Sequence, residues 1–586
     1  MSVPGLGRLV APLLLGLSLL GNLAGAQEKV LSDRILPRKT FLYLSIPSVA
    51  QMKESFQESS AGELWADPAL DDFKAEIQGA FAGELGEVKA NVQEALGLTL
   101  DEVLAIPDGE VTLAVSGSSR NRLGAVLFLD FGTHEAEIKG LLDKAAAVLA
   151  NADQLEREDL DHDGTELTLF NIQGPAAKAT PLAKEFGWFI HDQRLVICNS
   201  RDLMTQILDN WDGSSDDSFV NNEVFAYISE KCREPDQPVL MATFFDPVGL
   251  FNELVSTGSL GQASMQASFA LAFLPQFGVD QLKGFGSVSQ KGSGDYEWVA
   301  KSFVYCEQPP RALMEVFQLE ATDPTPPDWV KSNVSIYVGG KWKIAEAYQA
   351  IETMVDSFQG AGALEGMIDQ VAQREPRVHI KHDIIEQLDG TLRMISAPAE
   401  GSSDAPYAGE QYVIALGVND AQKWVDLLNR VTTDTNFPGE VREVEGATIY
   451  QIEQPQSNQI IAFTVAHGNL MIGIGNSLLE QVVRNNSDVR PLSDSDDYRR
   501  IADHLPGSTL VTSFSRPADQ YRSLYDLLRS GNTTDMFAGM DQINRIDFTT
   551  LPEFAVIEKY MTPAGGYWVS DENGALAVQF SLKPQK

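Results

Sequence analysis

Along the chain, short runs in which apolar and polar residues alternate are separated by stretches whose apolar positions recur every three or four residues. The first pattern puts side chains on the two faces of a strand, and the second builds one apolar stripe on a helix. An apolar strand over Phe41 to Ile46 leads into helical stretches, and another at Val334 to Val338 does the same. In each half a hairpin-rich region follows, broken by one helix after the third strand, over Glu135 to Leu149 and over Ala421 to Val431. Strands that succeed each other across short turns must pair antiparallel, so an alternating parallel α/β fold is disfavoured. The expected class is α+β: a module with an antiparallel sheet and packed helices, present in two tandem copies.

The two copies are read from segments that recur in the same order, the signature of an internal repeat. Asp108-Gly109-Glu110-Val-Thr-Leu answers to Asp389-Gly390-Thr391-Leu-Arg-Met, and Leu123 to Asp130 answers to Tyr412 to Asn419. The stretch beginning Gly164-Thr165 matches that at Gly446-Ala447, and the hairpin from Trp188 to Ile197 matches Ala462 to Met471. Leu274-Pro275-Gln276-Phe277 matches Leu551-Pro552-Glu553-Phe554, each before a hairpin. Between the halves stand Pro309, Pro310, Pro324, Pro326 and Pro327, with a short helical stretch at Leu313 to Leu319. Proline at this density marks a linker. The expected division is a first repeat over 37–308, a Pro-rich linker over 309–328 and a second repeat over 329–584.

The longest helix signal runs from Pro68 to Leu96, with Leu70, Phe73, Ile77, Phe81, Leu85, Val88, Val92 and Leu96 on one narrow stripe. Packing on its own sheet is the expectation, with a seam for a partner or a second copy as the alternative. Its polar face is mostly acidic, which disfavours attachment to anionic lipid.

Charge narrows the range of functions. The 586 residues include 82 acidic and 44 basic side chains, a formal charge of −38 at pH 7. Phosphate neutralisation needs clustered Lys and Arg, so nucleic acid is excluded as a partner. Residues 1–26 read as a secretory signal peptide: Arg8, an apolar run from Leu9 to Leu20, then Ala24-Gly25-Ala26 before Gln27. No later segment is long and apolar enough to span a bilayer. An exported chain, periplasmic or extracellular, is expected, and its acidity then reads as a solvated surface suited to salty surroundings. Of the three cysteines, Cys198 and Cys232 could pair in an oxidising compartment, against the plainer reading of Cys198, Cys232 and Cys306 as buried thiols.

Candidate chemistry is sparse. Asp159-x-Asp161-x-Asp163-Gly164 starts like an EF-hand calcium loop, but the twelfth position is Phe170 where a bidentate Glu is needed. A hairpin turn tipped by Asp163-Gly164 accounts for it better, and calcium on Asp159, Asp161 and Asp163 stays the weaker reading. His379 and His382 have HxxH spacing without the Glu of HExxH or an evident third ligand, and read as exposed histidines at a helix start. His191 and His467 fall within one position of each other in matching hairpins and read as polar turn residues. There is no G-x-S-x-G, S-x-x-K, G-x-G-x-x-G or G-x-x-x-x-G-K-[ST] motif. Gly339-Gly340-Lys341-Trp342 reads as a turn after a strand, and no cofactor is implied.

Leu36-Pro37-Arg38-Lys39-Thr40 before an apolar strand, the Pro47-Ser48-Val49 helix start and Asp67-Pro68-Ala69-Leu70 form one set of signatures. The Phe189-to-Val196 hairpin with its following helix and the Leu-Pro-x-Phe closing hairpins complete it. Together they resemble uncharacterised exported bacterial proteins similar to the domain-of-unknown-function (DUF) 3352 type. The resemblance implies this architecture and export, and it transfers no catalytic residue. The expected function is therefore a non-catalytic, exported interaction or structural module of the cell envelope, with an unknown envelope protein or ligand as partner. The alternative is a secreted hydrolase or metal-dependent enzyme with its site between the two repeats.

Overall fold

A computed structural model describes residues 29–80, 106–118, 123–174, 184–260, 263–398, 410–434, 437–454, 459–475, 477–531 and 543–585. The expected signal peptide and residues 81–96 of the long helix lie outside the described residues. In the first half the strands are β1 (Thr40–Ile46), β2 (Val111–Gly117), β3 (Leu123–Asp130), β4 (Leu155–His162), β5 (Thr165–Ile172), β6 (Glu185–His191), β7 (Arg194–Cys198), β8 (Val239–Phe245), β9 (Leu282–Lys291) and β10 (Tyr296–Cys306). In the second they are β11 (Leu319–Glu320), β12 (Ile336–Trp342), β13 (Leu388–Pro398), β14 (Glu410–Val418), β15 (Glu440–Val444), β16 (Ala447–Gln454), β17 (Gln459–Ala466), β18 (Asn469–Ile474), β19 (Val511–Ser515), β20 (Ala564–Asp571) and β21 (Gly574–Leu582).

These strands do not build two tandem modules. All 21 belong to one antiparallel sheet. From one edge the first half runs β4-β5-β6-β7-β3-β2-β1-β8-β9-β10. The next strand is β21, and the order continues β20-β19-β12-β13-β14-β18-β17-β16-β15. The short β11 pairs with the end of β12. The order of connections is the same read inward from either edge, and the two halves share the central ladder β10–β21, which runs from Tyr296 opposite Leu582 to Tyr305 opposite Gly574. A closing strand has two hydrogen-bonding edges, and here the second edge of each is filled by the other half. The tandem-module expectation fails on that ladder.

Helices cover both faces. On one face of the first half, the helices Arg201–Asp209 and Glu223–Cys232 bury Leu203, Met204, Ile207, Phe225 and Ile228 against Val126, Phe128, Leu167, Phe189, Val196 and Phe244. The helix Glu135–Ala150 covers the opposite face through Ile138 and Ala146, against Phe131, Phe170, Trp188 and Leu195. The second half repeats the pattern, with Ser477–Arg484 and Asp496–Ala502 on one face and Ala421–Asp434 on the other. Leu576 of β21 packs against the main core of each half.

Other helices pack crosswise between halves. The described part of the long helix, Asp71–Ala80, does not lie on its own sheet: Phe73 joins Tyr525, Phe548, Leu551, Phe554 and Ile557 of the second half. Asp67, capping the turn before that helix, pairs with Lys559 at 3.1 Å and accepts from Tyr560 Oη at 2.8 Å. On the other side Phe277 of the first half stacks on Phe358 of the second, with ring centroids 5.5 Å apart. The proline-rich segment is also held in place. Its 3₁₀ turn Ala312–Phe317 accepts a hydrogen bond at the Val316 carbonyl from Trp342 Nε1, and Thr322 bridges to Thr509. Gly339 to Trp342 belong to β12 itself and not to a turn after it. No helix among the described residues is long and apolar enough to cross a membrane.

Candidate functional site

Side chains at directly paired positions of an antiparallel sheet share a face. At one end of the first half this places a row of five ionisable side chains and one hydroxyl across five strands and the start of a sixth: His162 on β4, Thr165 on β5, His191 on β6, Arg194 on β7, Asp130 on β3, and Glu110 just before β2. His162 pairs with Thr165, His191 with Arg194, and Asp130 with Arg194. Thr165 Oγ1 and His191 Nδ1 are 2.8 Å apart, and the Asp130 N–H donates to the Glu110 carbonyl at 2.8 Å. Glu110, Asp130 and Arg194 have the parity of the core residues Ala114, Phe128 and Val196, so they turn inward.

The row is covered by the segment that precedes β1 and by the turn after the helix Arg201–Asp209. Lys29 Nζ lies 2.9 Å from both Asp130 carboxylate oxygens. The Ser32 N–H donates to both Glu110 oxygens at 3.1 Å, its hydroxyl donates to the same carboxylate, and Thr112 Oγ1 donates to it at 2.9 Å. Glu110 and Arg194 are each only 2% exposed. Burial pushes the Glu110 carboxyl above its usual range, against the opposing pull of Ser32, Arg194 and Thr112. Arg194 lies 5.6 Å from the Trp211 ring, and its Nε has no hydrogen-bond partner among the described residues. Trp211 is oriented by its Nε1–H, which donates to Asp192 Oδ2 at 2.8 Å. Asp33 beside Ser32 is also raised by burial, although Arg233 stands 3.7 Å away. Within this row it is the two carboxylates, Asp130 and Glu110, that tie Lys29 and Ser32 down onto the sheet.

The second half serves as an internal comparison. The positions matching the row are Val444, Ala447, Ala466, Asn469, Gly417 and Thr391, none of them ionisable. The strand framework therefore forms without the ionisable row. At that corner of the second half lies a shallow depression of about 390 Å³ lined by Glu445, Thr448, Tyr450 and His467. His467 Nε2–H there donates to the Val482 carbonyl at 2.9 Å.

The sequence candidates are dispersed or rearranged. Asp159 and Asp161 point from the exposed face of β4, where Asp159 pairs with Arg157 at 3.0 Å and Asp161 Oδ1 accepts from the Gly164 N–H at 3.2 Å. Asp163 and Gly164, with φ of 49° and 85°, form the tip of the β4–β5 hairpin. Asp163 converges with His162 and Asp209, not with Asp159 and Asp161. His379 and His382 stack at 4.3 Å, yet each ring faces its own carboxylate, Asp369 at 3.2 Å and Glu386 at 3.0 Å. All three cysteines are buried and free, and burial raises each thiol, Cys198 and Cys232 to about 12. The row itself was missed by motif reading. The signal for it was parity: Glu110, Asp130 and Arg194 are charges at positions where the alternation calls for apolar side chains.

No family model matches the chain, and neither does a curated protein or a solved structure.

Proposed function

We propose that the protein is an exported, non-catalytic interaction module of the cell envelope, whose partner-binding face is the apolar surface around the helix Ser264–Phe273. The observation that carries this reading is the composition and exposure of that helix. It contains no charged residue and buries none of its own, and Met265 is 70% exposed, Phe269 65% and Phe273 43%. Phe317 and Phe358, on elements that meet the 3₁₀ turn Leu274–Phe277 after this helix, are also exposed. Large exposed apolar side chains grouped on one surface mark interaction sites in soluble proteins.

Export rests on the signal-peptide pattern and on the acidic surface, and the resemblance to the DUF 3352 type is consistent with both. The competing reading, an enzyme with its site between the halves, is weakened by the β10–β21 ladder, which occupies the junction where a cleft would stand. The row at Glu110 and Arg194 serves in this reading as a clamp for the segment before β1.

A pull-down from envelope extract with the wild-type protein and with a Met265→Asp, Phe269→Asp double variant tests the reading. Recovery of a discrete partner by the wild type alone is expected. Equal recovery by both, or a reproducible hydrolase activity of the pure protein abolished by Glu110→Gln or His191→Ala, overturns it.

A further inference from the structure

We propose that His162, Asp163 and Asp209 form a binding site for a divalent transition-metal cation of the zinc class. One ligand atom from each of the three lies within 4.8 Å of the others, and this is the one such group of three among the described residues. His162 Nε2 and Asp209 Oδ1 are hydrogen-bonded at 2.7 Å, and a cation would replace the proton between them, the two atoms moving apart to roughly 3.3 Å, the spacing set by metal–ligand bonds of about 2.0 to 2.1 Å. One imidazole nitrogen with two carboxylate oxygens is a donor set that zinc accepts, completing its coordination with water. The imidazole distinguishes this site from a calcium loop, whose ligands are oxygens throughout.

The donors come from two rigid elements. His162 ends β4, and Asp163 opens the two-residue turn in the left-handed conformation. Asp209 ends the helix Arg201–Asp209, which has no basic residue in its last turn. A carboxylate beside the free carbonyls of a helix C-terminus is electrostatically unfavourable, and a cation there reverses the sign of that interaction. The matching corner of the second half supplies a contrast: its turn is Val444-Glu445-Gly446, and its helix Ser477–Arg484 ends on a cation. The donor set is thus not a requirement of the hairpin or of the helix that packs on it.

Zinc chloride titrated into the purified protein by calorimetry is the direct test. One zinc per chain is expected, with affinity falling as pH is lowered because protons compete for the imidazole. His162→Ala and Asp209→Asn should each weaken binding by roughly tenfold or more, whereas His382→Ala should leave it unchanged. Asp163→Asn keeps a residue that tolerates the left-handed turn, so it separates loss of a ligand from loss of the fold, and unchanged far-ultraviolet dichroism checks this. Cobalt(II) should give a visible absorption band in the wild type that these variants lose. No uptake at micromolar zinc, uptake unaltered in His162→Ala, Asp163→Asn and Asp209→Asn alike, or displacement of zinc by calcium would each overturn the site.

Discussion

At the scale of single residues, the most informative positions are those that break the alternation of their strands. Glu110 is held by Ser32 and Thr112 in the core of the sheet, and its carboxyl is raised by burial. An acid raised in the folded state binds its proton more tightly there than in the unfolded chain. Its contribution to stability is therefore full below the ordinary glutamate range and is lost as pH rises through the raised value. Urea midpoints measured against pH should show wild type losing ground relative to Glu110→Gln as pH rises. A difference that stays constant with pH would refute this assignment. Glu110→Ala should cost about 3 kcal/mol, since it strands the Ser32 and Thr112 donors in a buried site. These residues were visible in the sequence, but only the register of six strands shows that they form one row.

Elements tell a similar story about edges. Among the described residues the two ends of the sheet are the strands β4 and β15, apart from the two-residue β11. Unpaired edges invite pairing with other chains, and charge on the edge is a common protection. Both strands carry it: β4 reads Leu-Glu-Arg-Glu-Asp-Leu-Asp-His and β15 reads Glu-Val-Arg-Glu-Val. Replacing Arg157 and Asp159 together by Val should lower the temperature at which turbidity appears, with little change in far-ultraviolet dichroism beforehand. An unchanged onset of turbidity would mean that the edge is protected by something other than its charge. The strands, the hairpin at Asp163-Gly164 and the helices over Glu135–Ala150 and Ala421–Asp434 were legible from periodicity and turn chemistry. The partner of the helix Asp71–Ala80 was not. A stripe of apolar residues specifies that a helix will be buried, not which surface will bury it.

For the whole molecule, the central ladder makes the two halves interdependent. Fragments 29–308 and 309–585 expressed apart would each expose a long closing strand, β10 or β21, together with the uncovered side of Leu576 and the faces that Phe73 and Phe277 bury crosswise. Each fragment alone should self-associate or precipitate, and the two co-expressed should elute as a one-to-one complex on size-exclusion chromatography with light scattering. Two stable monomeric fragments would contradict the interdependence. The links Lys231–Asp571 at 2.7 Å and Asp67–Lys559 at 3.1 Å, with Tyr560 on Asp67 and the Asp547 N–H on Glu76, add polar specificity to the backbone hydrogen bonds and apolar side chains of the junction. By itself the sequence determined the α+β class, the antiparallel pairing, the order of strands and helices in each half and the acidic surface. All of these follow from local periodicity, turn residues and charge. Tertiary structure alone decided that the halves merge into one sheet, that their helices cross over, and that His162, Asp163 and Asp209 meet. The physical reason is that a strand edge, an apolar stripe or a ligand atom specifies the chemistry of its partner and not its position, and position depends on how distant segments pack.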